Sequence, residues 1–401
     1  MMPLWLVWMV VFWQSLTWPQ EVVAGDIFTE ATVSVAFGSH VDFRVRWLLD
    51  TPPREVTLII LPEGQERVIA IPTPQDGHLV YRWDLQGRRL SPFSQATYWY
   101  QAVLADGRLA ESPHYAFTYE DNRFAWQHLQ DGALAISWVE GDLAFGQSLL
   151  ATLQSALASV QGLFTAPMPG TVRLYVYPDV QSLQSALQMS STPWLAGHAS
   201  PEAGVILVAI PPGPDQLAEM ERQIPHELVH LMQYQWLGAD YRRLPAWLAE
   251  GVASLAELYP NPDYQRALER AVREDRLLPM SSLCQSFPRE SAGAFLAYAQ
   301  SASFTRFLHE RYGSSGLSRL MLAYKDGLGC VEGVQSALGK PFTALEREWH
   351  EEALGLNPGA RAWRHLQPYF ILALLVMLPV ALSLVVRRTR RVETSEQGGK
   401  P

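Results

Sequence analysis

The chain has 401 residues, 48% of them apolar, and a formal net charge of -9, which is enough for two ordinary domains with real cores plus membrane segments. An acidic balance with no basic stripe in the middle of the chain excludes a nucleic-acid surface, because a phosphate backbone is met by clustered Lys and Arg.

Residues 1–24 are dominated by Leu, Val, Trp, Phe and Met and are followed at once by Gly25 and Asp26. They read as a secretory signal, with Val22 and Ala24 at the small-residue positions a signal peptidase needs. An uncleaved anchor is the alternative, since no Lys or Arg precedes the apolar run.

From Ile27 to Tyr119 the apolar residues recur with period two. Val33, Val35 and Phe37 alternate with polar or small residues, as do Val41, Phe43, Val45 and Trp47. Shorter runs follow, separated by turn-forming clusters such as Thr51-Pro52-Pro53 and Gln75-Asp76-Gly77. Six short strands with regular turn signals predict a β-sandwich of immunoglobulin or fibronectin character. No catalytic grouping stands out in it.

Glu120-Asp121-Asn122-Arg123 marks a boundary, and the spacing changes after it. Leu143 to Phe164 predicts a helix, and Val172–Tyr177 and Gly204–Ile210 predict strands. From Gln216 to Trp349 the spacing is mainly helical. Strands first and helices after predict an α+β unit.

The chemistry is concentrated in Ile224-Pro225-His226-Glu227-Leu228-Val229-His230, an H-E-x-x-H motif. Residues four apart share a helix face, so His226 and His230 can point imidazole nitrogens at one zinc ion, Zn2+. Glu227, beside His226, can take a proton from a metal-bound water. Pro225 disfavours a helical Ile224, so this helix is expected to start or kink there. Glu250 follows after nineteen intervening residues, 231–249, in Leu244-Pro245-Ala246-Trp247-Leu248-Ala249-Glu250-Gly251. With Pro245 suited to a first turn and Trp247, Leu248, Val252 and Leu255 forming an apolar face, Glu250 is expected to project from a second helix as the third ligand.

Two cysteines, Cys284 and Cys330, are too far apart in sequence for a thiolate metal site of the C-x-x-C kind. In an extracytoplasmic chain they are expected to form one disulfide, contributing about 4 kcal/mol in the chain-entropy model; two separate buried thiols are the alternative. Tyr369 to Val386 is uncharged and apolar and is followed by Arg387, Arg388, Arg390 and Arg391. Eighteen helical residues span about 27 Å, sufficient for a bilayer core, and the arginines belong on the cytoplasmic side, which leaves everything before them outside. A buried core helix fits this pattern poorly.

H-E-x-x-H followed at this distance by W-L-x-E-G resembles the gluzincins, the thermolysin-like and aminopeptidase-like zinc peptidases, and is most similar to the peptidase MA-like group. The resemblance covers roughly Phe124 to Glu352. It implies His226, His230 and Glu250 as ligands and Glu227 as general base. Gln233 and Trp236 do not fit the metzincin pattern. No G-A-M-E-N exopeptidase motif precedes the helix, and Ser254 stands where thermolysin-like enzymes place an Asp that orients a histidine. Gly197-His198-Ala199 and the strand Gly204–Ile210 fall where gluzincins run an edge strand along the cleft, and His198 itself reads as a solvated loop residue. Tyr298 resembles a helical Tyr of related peptidases whose phenol can donate to an oxyanion; a core aromatic packed with Phe295 and Phe304 is the other reading. His309, His350 and His365 sit among charged residues and need no function.

The expected organisation is a leader over 1–24, a β-sandwich over 25–120 and a thermolysin-like zincin domain over 121–355. A linker over 356–367, a transmembrane helix over 368–386 and a cytoplasmic tail over 387–401 complete it. The expected activity is zinc-dependent hydrolysis of a peptide or protein substrate at the cell membrane. The alternative is an inactive zincin and sandwich acting as a surface binding or adhesion module.

Overall fold

The structure is a computed structural model that describes residues 22–24, 27–48, 53–86, 90–167, 170–187 and 197–356, with 359, 363, 366–375, 377 and 379 beyond them. Two compact units form. One takes in the chain to residue 146 and residues 171–212; the other takes residues 147–170 and the chain from 213.

The first unit begins with ten strands: β1 (Val22–Ala24), β2 (Phe28–Ala36), β3 (His40–Trp47), β4 (Glu55–Pro62), β5 (Val68–Ala70), β6 (Thr73–Gln75), β7 (His78–Asp84), β8 (Gln95–Val103), β9 (Leu109–Glu111) and β10 (Tyr115–Thr118). One sheet has the order β2-β3-β7-β6. The other runs β1-β9-β8-β4-β5, with β10 also on β8. Both faces feed a single core, which includes Val41, Phe43 and Val45 from one sheet and Leu58, Ile60, Tyr98 and Tyr100 from the other. The alternation is visible in β3, where Asp42, Arg44 and Arg46 point away from that core. Two sheets closed on one shared core make this a β-sandwich. Val22–Ala24, assigned from the sequence to the end of a leader, pair in parallel with Leu109–Glu111.

In the segment 120–123, Glu120, Asn122 and Arg123 are exposed and Asp121 turns inward. Asp121 is fully buried, receives Arg123 Nε at 2.8 Å and Nη2 at 2.7 Å, and receives the Tyr177 hydroxyl at 3.0 Å. Beyond it come β11 (Gln127–Asp131), β12 (Leu134–Trp138), α1 (Leu143–Leu163), β13 (Val172–Tyr177), α2 (Val180–Leu187), β14 (Gly197–Ser200) and β15 (Val205–Ala209). The five strands form one mixed sheet in the order β11-β12-β13-β15-β14. All five residues of β15 are buried, as an interior strand with a parallel neighbour requires. The edge lies at β14, antiparallel to β15, so the expected edge strand is residues 197–200 and not 204–210. The β11–β12 hairpin and α2 had no counterpart among the predicted elements. α1 is apolar and long enough to span a bilayer by length and composition. However, Leu149, Leu153, Ala156 and Val160, at helical spacing, are fully buried, and it is a core helix.

The second unit is helical: α1 from residue 147 on, then α3 (Gln216–Leu237), α4 (Ala246–Ala256), α5 (Pro262–Glu274), α6 (Ser291–Lys325), α7 (Cys330–Leu338) and α8 (Phe342–Glu352). α6 is two helical stretches joined at Gly313, whose positive φ of 65° suits a residue without Cβ. Trp247, Phe304, Phe342 and Trp349 build an aromatic core in edge and stacked contacts 5.2–5.8 Å apart. Gln300, fully buried, exchanges two hydrogen bonds of 2.8 Å with the backbone of Leu278. Cys284 and Cys330 are joined in the expected disulfide. Of the predicted C-terminal helix, residues 368–375 fall within an apolar helix described over 366–375. Its side chains are exposed, Tyr369 at 71% and Leu375 at 67%. Residues 376, 378 and 380–386 of the predicted span lie outside the described residues, as do the arginines after it and residues 1–21 of the leader.

Candidate active site

α3 carries His226, Glu227 and His230, and α4 carries Glu250. The two helices belong to the same unit and are packed together. His226 and His230, one turn apart, present their rings 5.2 Å centroid to centroid. The expectation that Pro225 starts the helix is not met. α3 begins nine residues earlier, at Gln216, and runs through a buried Pro225 without a break. A proline in a helix interior leaves the carbonyl four residues back without its N–H partner. Here that carbonyl, of Glu221, accepts instead from Leu258 N at 2.8 Å and Tyr259 N at 3.4 Å.

One donor atom each from His226, His230 and Glu250 lies within 4.8 Å of the others. Glu250 Oε2 is 3.3 Å from His226 Nε2 and 3.5 Å from His230 Nε2. Zinc bonds of 2.0–2.1 Å in a tetrahedron put neighbouring donors about 3.3–3.4 Å apart. Two imidazoles and one carboxylate also match the three-ligand donor set of catalytic zinc, which keeps a position for water. The donor set fits zinc.

Each histidine is held from behind. His226 Nδ1 is 3.1 Å from Glu257 Oε1, and His230 Nδ1 is 3.0 Å from the Tyr241 hydroxyl. With both Nδ1 atoms engaged, the Nε2 atoms are the ones left to face Glu250. In the metal-free protein, burial disfavours a charged His226, yet hydrogen bonds that its ring donates to Glu250 and Glu257, with the nearby Glu227 carboxylate, raise its pKa well above the ordinary histidine value. Burial likewise opposes ionisation of Glu250, but His230 and His226 hold its carboxyl far below the usual range. Glu227 is buried on α3.

Tyr298, on α6, is brought to the same place, with its ring 6.5 Å from that of His226 and edge-on to Phe287 at 4.9 Å. Burial, and then the carboxylates of Glu250 and Glu227, push its phenol well up, which keeps its proton in place at neutral pH. Phe295, one turn before it on α6, packs against Tyr264. His309 lies 3.3 Å from Ser314 Oγ, and His198 sits in edge strand β14. His365 lies outside the described residues. Sequence reasoning missed Glu257 and Tyr241. Neither stands at a fixed motif spacing, although the unexpected proline in α3 was a signal for the first.

A family model described as the Peptidase MA superfamily matches residues 152–354, just over half of the chain. Among solved structures, the chain is similar to an M1 zinc metallopeptidase from Deinococcus radiodurans. The two are 14% identical over 78% of this chain and 88% of that one, with a TM-score of 0.35. A mutant of that enzyme bound to a Tyr-Ser-Ala substrate gives 12% identity, the same coverage and a TM-score of 0.34. A BhCBM56 structure matches 22% of this chain and 88% of its own, at 14% identity and a TM-score of 0.18. No curated protein matches the chain.

Proposed function

As this chain belongs to the Peptidase MA superfamily, we propose that it is a zinc-dependent peptidase, an endopeptidase held at a membrane with its catalytic unit outside the cytoplasm. The observation that carries the reading is the convergence of His226, His230 and Glu250 at zinc-ligand spacing, with Glu227 next to the first ligand on the same helix.

His226 and His230 would hold the ion through Nε2 and Glu250 through one carboxylate oxygen. Bound zinc supplies Lewis acidity towards the scissile carbonyl and brings the pKa of its water towards 7. Glu227 takes the proton of the attacking water and passes it to the leaving amine. Tyr298, kept protonated, donates to the oxygen on which negative charge develops. Lack of a G-A-M-E-N motif ahead of α3 favours cleavage within a chain over removal of terminal residues. The membrane part rests on the run Tyr369–Val386 with its following arginines, and is supported by the exposed apolar side chains of residues 366–375.

Metal analysis of the full-length protein beside Glu250→Ala tests the site: about one zinc per chain is expected, lost in the variant. Glu227→Gln should retain the zinc and lose cleavage of a peptide library. Zinc retained without Glu250, or full cleavage by Glu227→Gln, contradicts the assignment.

A further inference from the structure

Ser254 occupies the position, four residues after Glu250, from which the thermolysin-like pattern would orient a histidine. A different carboxylate reaches His226. Glu257 closes the C-terminal end of α4 and is itself buried. Its Oε1 meets His226 Nδ1 at 3.1 Å, and its Oε2 accepts from Asn261 N at 3.3 Å. Both oxygens are engaged, so the carboxylate has a defined orientation.

What holds the backbone at this point comes from α3. Pro225 precedes His226 and has no N–H to give to Glu221 O. That carbonyl is taken by the amides of Leu258 and Tyr259, the two residues after Glu257. An alanine at 225 would supply the missing donor within α3 and compete for the same carbonyl.

We propose that Glu257 is the positioning residue for His226, and that Pro225 docks it there by leaving the Glu221 carbonyl free to bind the backbone of Leu258. The inference rests on the reading of His226 as a metal ligand. An anionic acceptor on Nδ1 holds the imidazole proton there, leaves the Nε2 lone pair free to bind, fixes the ring orientation and makes the ring a stronger ligand, and the loss of such a partner typically weakens metal binding 10–100-fold.

The test uses the full-length protein and two readouts: the zinc dissociation constant from competition with a chromophoric chelator, and the visible spectrum of the Co2+-substituted protein. Glu257→Gln should bind zinc about 10–100-fold more weakly and shift the cobalt bands, which a merely structural role for Glu257 would not do. Pro225→Ala should weaken zinc binding in the wild-type background and have no further effect in Glu257→Gln, because both act through one contact. Should Glu257→Gln not fold, Glu257→Asp, which keeps the charge on a shorter arm, is expected to shift both readouts in the same direction. Wild-type affinity and spectrum in the Glu257 variants would overturn the inference while leaving the zinc site standing. Equal losses from Pro225→Ala with and without Glu257 would overturn the docking role of the proline. A wild-type protein that binds no zinc would overturn the function and this inference together.

Discussion

Gly251 follows the third proposed ligand in sequence and lies where α4 meets α6, which makes Gly251→Ala a demanding test of the site's architecture. A Cβ at 251 would collide with Thr305 Oγ1 and stand 2.6 Å from the Ser301 carbonyl oxygen and 2.9 Å from Thr305 Cβ. Unstrained heavy-atom contacts lie near 3.5–4.0 Å, so the helices must part by roughly 1 Å. Two effects compete. In an open helix the substitution gains about 1 kcal/mol from propensity. Overpacking typically costs 1–3 kcal/mol, and the upper part of that range applies, because one of the obstructing atoms is backbone that no rotamer change can move. The expected net loss is about 1–2 kcal/mol. In a unit of this size that lowers the unfolding midpoint by roughly 2–8 °C. Since Glu250 is the adjacent residue, zinc affinity should fall at least about tenfold through displacement of a ligand from its position. Thermal unfolding of the metal-free protein and chelator competition read the two effects separately. Adding Thr305→Ala should restore only part of the loss, as the Ser301 carbonyl remains. A Gly251→Ala protein stabilised by about 1 kcal/mol with unchanged zinc affinity would refute the close packing of α4 on α6 as the element that places Glu250.

Tyr241→Phe removes the hydroxyl 3.0 Å from His230 Nδ1; zinc affinity measured by chelator competition should fall severalfold, less than in Glu257→Gln, because a neutral partner is lost in place of a charged one. Zinc binding should weaken as pH falls. The raised pKa of His226 in the metal-free protein means that a proton must leave before Nε2 can bind, so protons compete increasingly on the acid side, and titrations between about pH 6 and 8 should show about one proton released per zinc from this group. Replacing Cys284 and Cys330 together by Ser opens a disulfide spanning a sequence separation of 46, for which the chain-entropy model expects a loss of about 4 kcal/mol. Because Cys284 O accepts from Ala246 N at 3.0 Å, at the start of α4, the zinc dissociation constant should rise as the unfolding midpoint falls.

The features legible in the sequence were those whose signal is local. The alternation of Val41, Phe43 and Val45 is written in one strand, and it placed that strand's inner face in the sandwich core. The spacing of His226 and His230 is one helical turn, and the Pro-x-x-x-x-Glu run that carries Glu250 is a helix start with a charge one turn in. Elements with weak periodicity escaped. Gln127–Asp131 is a largely exposed strand with little apolar content to betray it, and it was recognisable only through its pairing with β12. The choice between two candidate edge strands was likewise not local: β14 and β15 differ in how many neighbours they have, which the register shows and the residues do not.

Pro225 shows why the holder of His226 was the least legible part. Read locally, a proline at this position breaks or kinks a helix, because an interior proline costs about 3 kcal/mol against alanine, through a lost hydrogen bond and a steric clash. α3 nonetheless continues past it. The hydrogen-bond part of the penalty is offset by the amide of Leu258, which satisfies Glu221 O at 2.8 Å from another segment. The local rule therefore failed where a long-range contact supplied the missing donor, and that contact brings Glu257 to His226. A sequence that violates a propensity rule inside a motif is expected to do so for the sake of the site. In this chain the violation and the unpredicted carboxylate are two ends of one arrangement, joined by a single carbonyl, and the carboxylate lies 31 positions along the chain from the histidine it meets.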